Sequence, residues 1–431
     1  MEDLSRRSLI QFLGVAGLAV GAGGLLSSCA TSSGAATAGT AGGAAGAGVL
    51  VAPPVANNLY WDGWVKAANA AAEALGTSPK VENFNGDTQA QLAAFSNVPN
   101  LGLKGAMTMA NVAASSPQLF GTLERQGTFG TNCHSNQPWS TPLDVGDHYV
   151  GYFDFPHQAS FESLCTYLFD KMGGSGKIIH ITGVPGVVAS DFKDYAMDKL
   201  LAEKYPNIQL VARQPGNFGR VATVPVVENL LTAHSDIDAI ICQNDDSALG
   251  AISVLKKKGL DKVLVVGADA IPEMLDAIVA GDALATVANP GEWMGGAMMV
   301  RLYDAINGFK VPPLERMQIF QTFVINTAKA AEAYKKVITG PSPYDWKKMS
   351  RLHNPDSWDP QIPLKVIRPE EFWAAFKDKR PSGYTLPAAY TNASAKDYDA
   401  IDAMYAKRLS NDVFAAVKQL NDPVVSVPLA R

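Results

Sequence analysis

The sequence predicts an α/β protein of two doubly wound parallel-sheet lobes joined by a hinge, followed by a C-terminal extension. Three observations predict it. Short β-like runs alternate with longer helix-period segments from Gly48 to Asn326. Those units occupy about 280 residues, large for one sheet and natural for two lobes. Beyond about Ala328 the alternation stops, and aromatics lie among several prolines.

Strands are expected over Val49–Ala52, Val81–Phe84, Gly105–Met109, Lys177–Thr182, Gln209–Ala212, Ala239–Cys242 and Val263–Gly267. Between them, helices are expected over Tyr60–Leu75, Pro117–Gln126, Phe161–Met172, Ser190–Lys204, Val221–Ala233, Ser247–Lys258, Pro272–Ala280 and Met294–Ile306. In the last of these, Met294, Ala297, Met298, Leu302, Ala305 and Ile306 keep the rhythm of one buried helical face. Gly76, Gly127, Gly259, Gly281 and Gly308 fall at or near helix ends, where a C-cap glycine is expected. A terminal helix is expected over Ala395–Leu420.

The first thirty residues read as a targeting segment. Ser5-Arg6-Arg7-Ser8-Leu9-Ile10 resembles a twin-arginine export signal, with the apolar stretch Leu9 to Leu26 behind it. Leu26-Ser27-Ser28-Cys29 resembles a lipobox, which makes Cys29 the candidate for lipidation. Thr31 to Gly48 is almost entirely Ala, Gly, Ser and Thr, too poor in apolar bulk to order itself, and reads as a flexible tether. Downstream, no apolar run reaches the ~18–20 residues of a spanning helix. Membrane association is therefore expected through a lipid only.

Composition excludes other classes. With 47% hydrophobic and 18% charged residues the body is that of a soluble globular protein. A net charge of −5 gives no basic footprint for nucleic acid. Apart from Cys29, the cysteines Cys133, Cys165 and Cys242 are an odd number at wide spacings and form no disulfide framework. Cys242 lies in an apolar run and reads as an inert core thiol.

In open parallel sheets ligands bind beyond the carboxyl ends of the strands, so the residues there carry the argument. After the first strand comes Asn57-Asn58-Leu59-Tyr60-Trp61. After Ile241 comes Gln243-Asn244-Asp245-Asp246-Ser247, and after Val266 comes Gly267-Ala268-Asp269-Ala270. Amides and carboxylates at strand ends can make paired hydrogen bonds to adjacent hydroxyls, and aromatics beside them can stack on a sugar ring. Singly, each Asn or Asp reads equally as a helix cap.

Together these stretches resemble the ribose-type, or type I, periplasmic binding proteins. The resemblance runs from Val49 to Thr327 and is most specific at Asn244-Asp245-Asp246-Ser247-Ala248-Leu249-Gly250, with Val265-Val266-Gly267-Ala268-Asp269 and Ala285-Thr286-Val287-Ala288-Asn289-Pro290 following in register. It implies a substrate-binding component of an ABC importer, closing two lobes on a small polar ligand. Asn58, Tyr60 and Trp61 match a stretch that supplies an amide and ring-stacking surfaces. Phe218 matches a stacking aromatic of the second lobe. Asn244 and Asp269 match the amide and carboxylate that grip hydroxyls, and Asn289 stands where the family has Gln.

Two departures bear on the ligand. The family's Asp-Arg after the fourth strand is replaced by Thr131-Asn132-Cys133-His134, which makes Asn132 and His134 candidates there. The usual pocket Arg falls at Lys193, or at Asp191 by a small shift. Lys cannot reproduce the planar fork of Arg, so a larger pyranoside, a sugar alcohol or a cyclitol is as well suited as ribose. A nucleoside, a signalling molecule or a sensory receptor role is the alternative. Sugar-responsive repressors share the core, but would carry a helix-turn-helix where this chain has an export signal.

The resulting division is 1–28 signal peptide, 29–48 tether, 49–154 with 289–318 as N-terminal lobe, 155–288 with 319–328 as C-terminal lobe, and 329–431 as extension. Chain crossings are expected near Phe155, Asn289 and Gln318. Gly173-Gly174-Ser175-Gly176-Lys177 precedes a strand and reads as a turn, not a phosphate loop. The six histidines show no close pairing of the zinc type. No metal, cofactor or enzymatic constellation is expected, and the partners are a polyhydroxylated ligand and an inner-membrane permease, with the protein itself a monomer. In the extension, Tyr344, Trp346, Trp358, Trp373 and Tyr384 suit either anchors of a strap over the lobes or a docking surface for a dedicated partner.

Overall fold

The computed structural model describes residues 47–429. The expected signal peptide, Cys29 and all but the end of the tether lie outside the described residues. Among the described residues no helix is long and apolar enough to cross a membrane.

The first half of the body runs β1 (Gly48–Ala52), α1 (Leu59–Leu75), β2 (Ser78–Val81), α2 (Thr88–Asn97), β3 (Leu103–Thr108), α3 (Ser116–Arg125), β4 (Phe129–Cys133), α4 (Pro142–Val145) and β5 (Tyr149–Asp154). Then follow α5 (His157–Lys171), β6 (Gly176–Thr182), α6 (Val188–Glu203), β7 (Ile208–Pro215), α7 (Arg220–Ala233), β8 (Ala239–Cys242), α8 (Asp245–Lys258), β9 (Leu264–Asp269), α9 (Pro272–Ala280) and β10 (Ala285–Ala288). The chain continues through α10 (Gly291–Ile306), β11 (Met317–Phe320), β12 (Phe323–Ile325), α11 (Ala328–Thr339) and β13 (Leu364–Val366).

These strands build two sheets. One has the order β13-β11-β5-β4-β3-β1-β2, the other β12-β10-β9-β8-β6-β7. Each contains the same doubly wound kernel of five parallel strands, with the second strand outside the first, and each opens a crevice beyond its strand ends. Antiparallel edge strands, β13 in one sheet and β12 in the other, complete them. Among the strands expected from the sequence, β1 and β8 are buried throughout.

Several elements differ from expectation for visible reasons. The strand expected at Val81–Phe84 lies three residues earlier, at Ser78–Val81, because it is an exposed edge that tolerates Pro79 while Phe84 turns inward from the following loop. The terminal helix stops at Arg408 and resumes as a single turn at Ala415–Lys418. Asp412, in the break, accepts from Lys418 and from the backbone of Phe414.

The chain passes between the sheets at Phe155–Pro156, at Asn289–Pro290 and at Gln321–Thr322. Gln318 lies inside β11, paired with Phe153 on one side and Val366 on the other, so the third passage comes after it. α10 returns to the first sheet and packs on α1, β3, β4 and β5.

The extension is built into both lobes. α11 packs on α9 of the second lobe, whereas β13 extends the first sheet. Tyr344, Trp346, Trp358 and Trp373 are all buried, Trp373 against Trp139 of the first lobe, and Tyr384 donates to Asp144 at 2.7 Å. Further along, Asn421 accepts from the backbone of Asn326, and Val427 enters the second lobe's core.

Candidate functional site

Between the two sets of strand ends lies a cavity of about 310 Å³, at the lower end of the range for small-molecule pockets. Asn58, Tyr60, Trp61 and His134 line it from the first lobe. Lys193, Phe218, Asn244 and Asp269 line it from the second, and Asn289 stands at a crossing. Asn132 does not line it. That side chain is fully buried and braces two loops instead, accepting from Ala110 N at 3.2 Å and donating to Ser135 O at 2.9 Å.

The backbone is strained here. Of the nine non-glycine residues with positive φ among the described residues, four line this cleft, His134, Asn217, Phe218 and Asp269, and two more, Asn57 and Ala270, adjoin lining residues in the chain. Strain of this kind concentrates at functional sites, where surrounding structure holds a side chain in an otherwise costly orientation. Two glycines admit the cleft aromatics. A Cβ on Gly183 would lie 1.9 Å from the Phe218 ring, and one on Gly291 would lie 2.6 Å from Tyr60.

Several of the amides are already engaged. Asn58 caps α1 by accepting from Trp61 N, and its Nδ2 donates to Asp246 Oδ2 at 3.1 Å across the cleft. Asn244 caps α8 by accepting from Ser247 N and donates to Phe218 O at 3.0 Å. Both residues are therefore caps as well as cleft-lining groups. Lys193, rather than Asp191, faces the cleft; it donates to Gln243 O at 2.5 Å, while Asp191 pairs with Lys379 of the extension.

Other polar atoms are left over. Asn289 shares the cavity wall with Tyr60 and Asp269, and its Oδ1 is buried without a partner among the described residues. Both amide atoms of Asn111 and the Nδ1 of His157 are in the same condition, and both residues line the cavity. Neither stood out in the sequence. Asn111 follows a strand end and could have been found by that rule, whereas His157 opens α5 beyond the first crossing.

Charges in the cleft are few and balanced. Burial pushes the Asp269 carboxyl well above the usual range, opposed by Lys193. Burial lowers Lys193, opposed by Asp269, Asp245 and Asp154. Asp245 itself lies beneath, accepting from Ile271 N and the Thr286 hydroxyl, and holds the β9 and β10 ends together.

At the hinge the fold pairs histidines that are far apart in sequence. His134 Nδ1 and His157 Nε2 both reach Asp154 Oδ1, at 3.1 and 2.6 Å, and the other carboxylate oxygen accepts from Tyr152 at 2.5 Å. Burial works against the Asp154 charge, yet His157 and His134 hold its pKa at about 2. The ligand-type atoms of His134, Asp154 and His157 lie within 4.8 Å of one another. A separation of 2.6 Å is a hydrogen bond, shorter than the roughly 3 Å or more between donors around a zinc ion. The group fits a proton-bonded network and not a metal site. Tyr60 then donates to His134 Nε2 at 2.8 Å, carrying the network to the cleft wall.

A sequence profile described as a periplasmic binding protein domain matches residues 48–310. This chain belongs to the periplasmic binding protein family. The D-allose-binding periplasmic protein of Escherichia coli K12 is 29% identical to this binding protein over 273 residues, covering 62% of this chain and 86% of the relative. The ribose import binding protein of the same organism is 33% identical over 145 residues, 34% of this chain and 48% of its own length. Among solved structures, a solute-binding protein of Actinobacillus succinogenes with bound D-allose superposes with a TM-score of 0.61 at 20% identity, covering 67% of this chain and 99% of that one. A Bacillus halodurans solute-binding protein with bound myo-inositol gives 0.61 at 20% identity over 68% of this chain and 99% of its own. The binding-protein fold thus accounts for the two lobes, and residues after 310 lie beyond the matched domain.

Proposed function

We propose that this protein captures a neutral sugar, sugar alcohol or cyclitol between its lobes and delivers it to an ABC permease. One observation carries the reading. The interlobe cavity combines aromatic faces, Tyr60, Trp61 and Phe218, with buried side-chain acceptors at Asn111, His157 and Asn289 that lack partners among the described residues. Hydroxyl donors on an apolar ring satisfy both at once. The relatives that bind D-allose and ribose, and the solved neighbours that hold D-allose and myo-inositol, support the same class. Binding and release, not catalysis, is the activity.

The export signal and Cys29 support a protein carried out of the cytoplasm and held at the membrane by a lipid. Lys193 in place of the family's Arg, and a stretch from Thr131 to Asn136 with no counterpart of its Asp-Arg, support a ligand other than free ribose.

A thermal-shift screen of sugars, polyols, cyclitols and purine nucleosides tests the reading. A ligand at ~100 times its dissociation constant adds about 2.7 kcal/mol of stability. The largest shift is expected from a neutral polyhydroxylated compound. A shift with a nucleoside or phosphate ester, and none with any polyol, would overturn the sugar assignment.

A further inference from the structure

We infer that His157 is a specificity-determining residue of the cleft, accepting at Nδ1 a hydrogen bond from one ligand hydroxyl, and that the C-terminal extension positions it. This rests on the polyhydroxylated-ligand reading above. His157 is 3% exposed and lines the cavity.

Its tautomer follows from its neighbour. Asp154 is an ionised acceptor whose Oδ1 lies 2.6 Å from His157 Nε2, so the proton sits on Nε2 and Nδ1 is a bare lone pair. That lone pair is buried and has no partner among the described residues. Burial also pushes the imidazole down to about 4, against the pull of Asp154, which keeps Nδ1 an acceptor at neutral pH.

The ring cannot turn to find another partner. It packs at 3.8 Å, centroid to centroid, on Phe155 and stacks at 5.9 Å and 9° on Phe192. Phe192, in α6, is in turn held by two rings of the extension, Phe372 at 5.3 Å and Phe376 at 4.7 Å. Lys379 pairs with Asp191 beside it at 2.9 Å. The backbone carbonyl of Phe376 accepts from Trp139 Nε1 at 2.7 Å, so this part of the extension is fixed to the first lobe while it grips the second. His157 therefore presents one acceptor at a fixed place.

An acceptor of this kind discriminates by what it leaves unpaired. A ligand hydroxyl or N–H satisfies it, whereas a hydrogen, an ether or a carbonyl at the same place strands it. The expected ligand thus has a hydroxyl whose removal is penalised through His157 alone.

The test is calorimetry on the full chain with D-allose, xylitol and myo-inositol, followed by monodeoxy derivatives of the tightest binder. His157→Gln keeps an amide N–H where Nε2 meets Asp154 but removes the Nδ1 acceptor. His157→Asn keeps an acceptor near Nδ1. The Gln variant is expected to bind about tenfold more weakly, and the Asn variant less weakened. One monodeoxy derivative should bind wild type about tenfold more weakly yet lose nothing further in the Gln variant. Phe376→Ala, which frees Phe192, should shrink that deoxy discrimination toward unity, a ratio that mere loss of stability would leave alone. Unchanged affinity in His157→Gln, or an equal loss for every monodeoxy derivative in both proteins, overturns the inference while the polyol reading stands. Wild-type protein that binds none of these three and no other compound of the polyol screen overturns both.

Discussion

Asn58 and Asp246 sit on opposite lobes and are joined by a 3.1 Å hydrogen bond, with Arg220 holding the other carboxylate oxygen at 3.0 Å. The carboxylate thus fastens a helix start of the first lobe to two helix starts of the second. Asp246→Ala should widen the average interlobe angle of the unliganded protein. Because the Arg220 side chain is 41% exposed, solvent screens the pair and the latch contributes only about 1 kcal/mol. Solution X-ray scattering should record a larger radius of gyration for the variant, and identical curves would dismiss the latch.

Asp269 offers a carboxylate in a cleft where the remaining acceptors are neutral. Asp269→Ala should weaken ligand binding by about 1.5–3 kcal/mol with the fold intact, as measured by calorimetry. Since burial raises this carboxyl toward neutral pH against the pull of Lys193, wild-type affinity should also decline as the pH falls from 8 to 5. Affinity flat across that range would remove the charged form of Asp269 from the site.

His157 links acid to stability. Its folded-state pKa is depressed to about 4 from the ordinary 6.5, first by burial, so the unfolded chain takes up the proton first as the pH falls. The stabilisation is complete above 6.5 and is lost as the pH falls toward 4, a change of about 3 kcal/mol. Urea unfolding of His157→Gln should show a shallower decline across that window than wild type. Parallel slopes would contradict the assignment.

Phe376 is a hinge-side anchor, 4% exposed and packed on Phe192. Phe376→Ala should cost about 3–5 kcal/mol in unfolding free energy, seen as a lower Tm. A loss below about 1 kcal/mol would mean that the extension merely rests on the lobes.

Much of this fold is written in local pattern. β8 and β9 are short β-branched runs between helices with one apolar face, and Asn58, Asn244 and Asp269 stand at strand ends where the architecture places a cleft. β4 and β5 were not legible, because Phe129-Gly130-Thr131-Asn132-Cys133 and Tyr149-Val150-Gly151-Tyr152-Phe153-Asp154 carry polar residues and glycine inside a fully packed sheet. Asn132 misled because a strand-end amide can serve its own loops. His157 stayed hidden because its significance depends on Asp154 across the first crossing, and on His134 and Phe376 far away in the sequence. The extension had aromatic residues but no period, and only tertiary contacts say which lobe each one joins.

The position of β13 has a consequence for the order of biosynthesis. β5 closes its pairing only when β11 arrives, more than 160 residues later, and β11 in turn waits for Leu364–Val366. On a ribosome adding ~5–20 residues per second, the lobe begun first therefore stays an open-edged intermediate for many seconds after the second lobe's β6–β10 kernel has emerged. A nascent chain stalled before Leu364 would display the β11 edge to its neighbours, and only translation through the extension withdraws that invitation to aggregate.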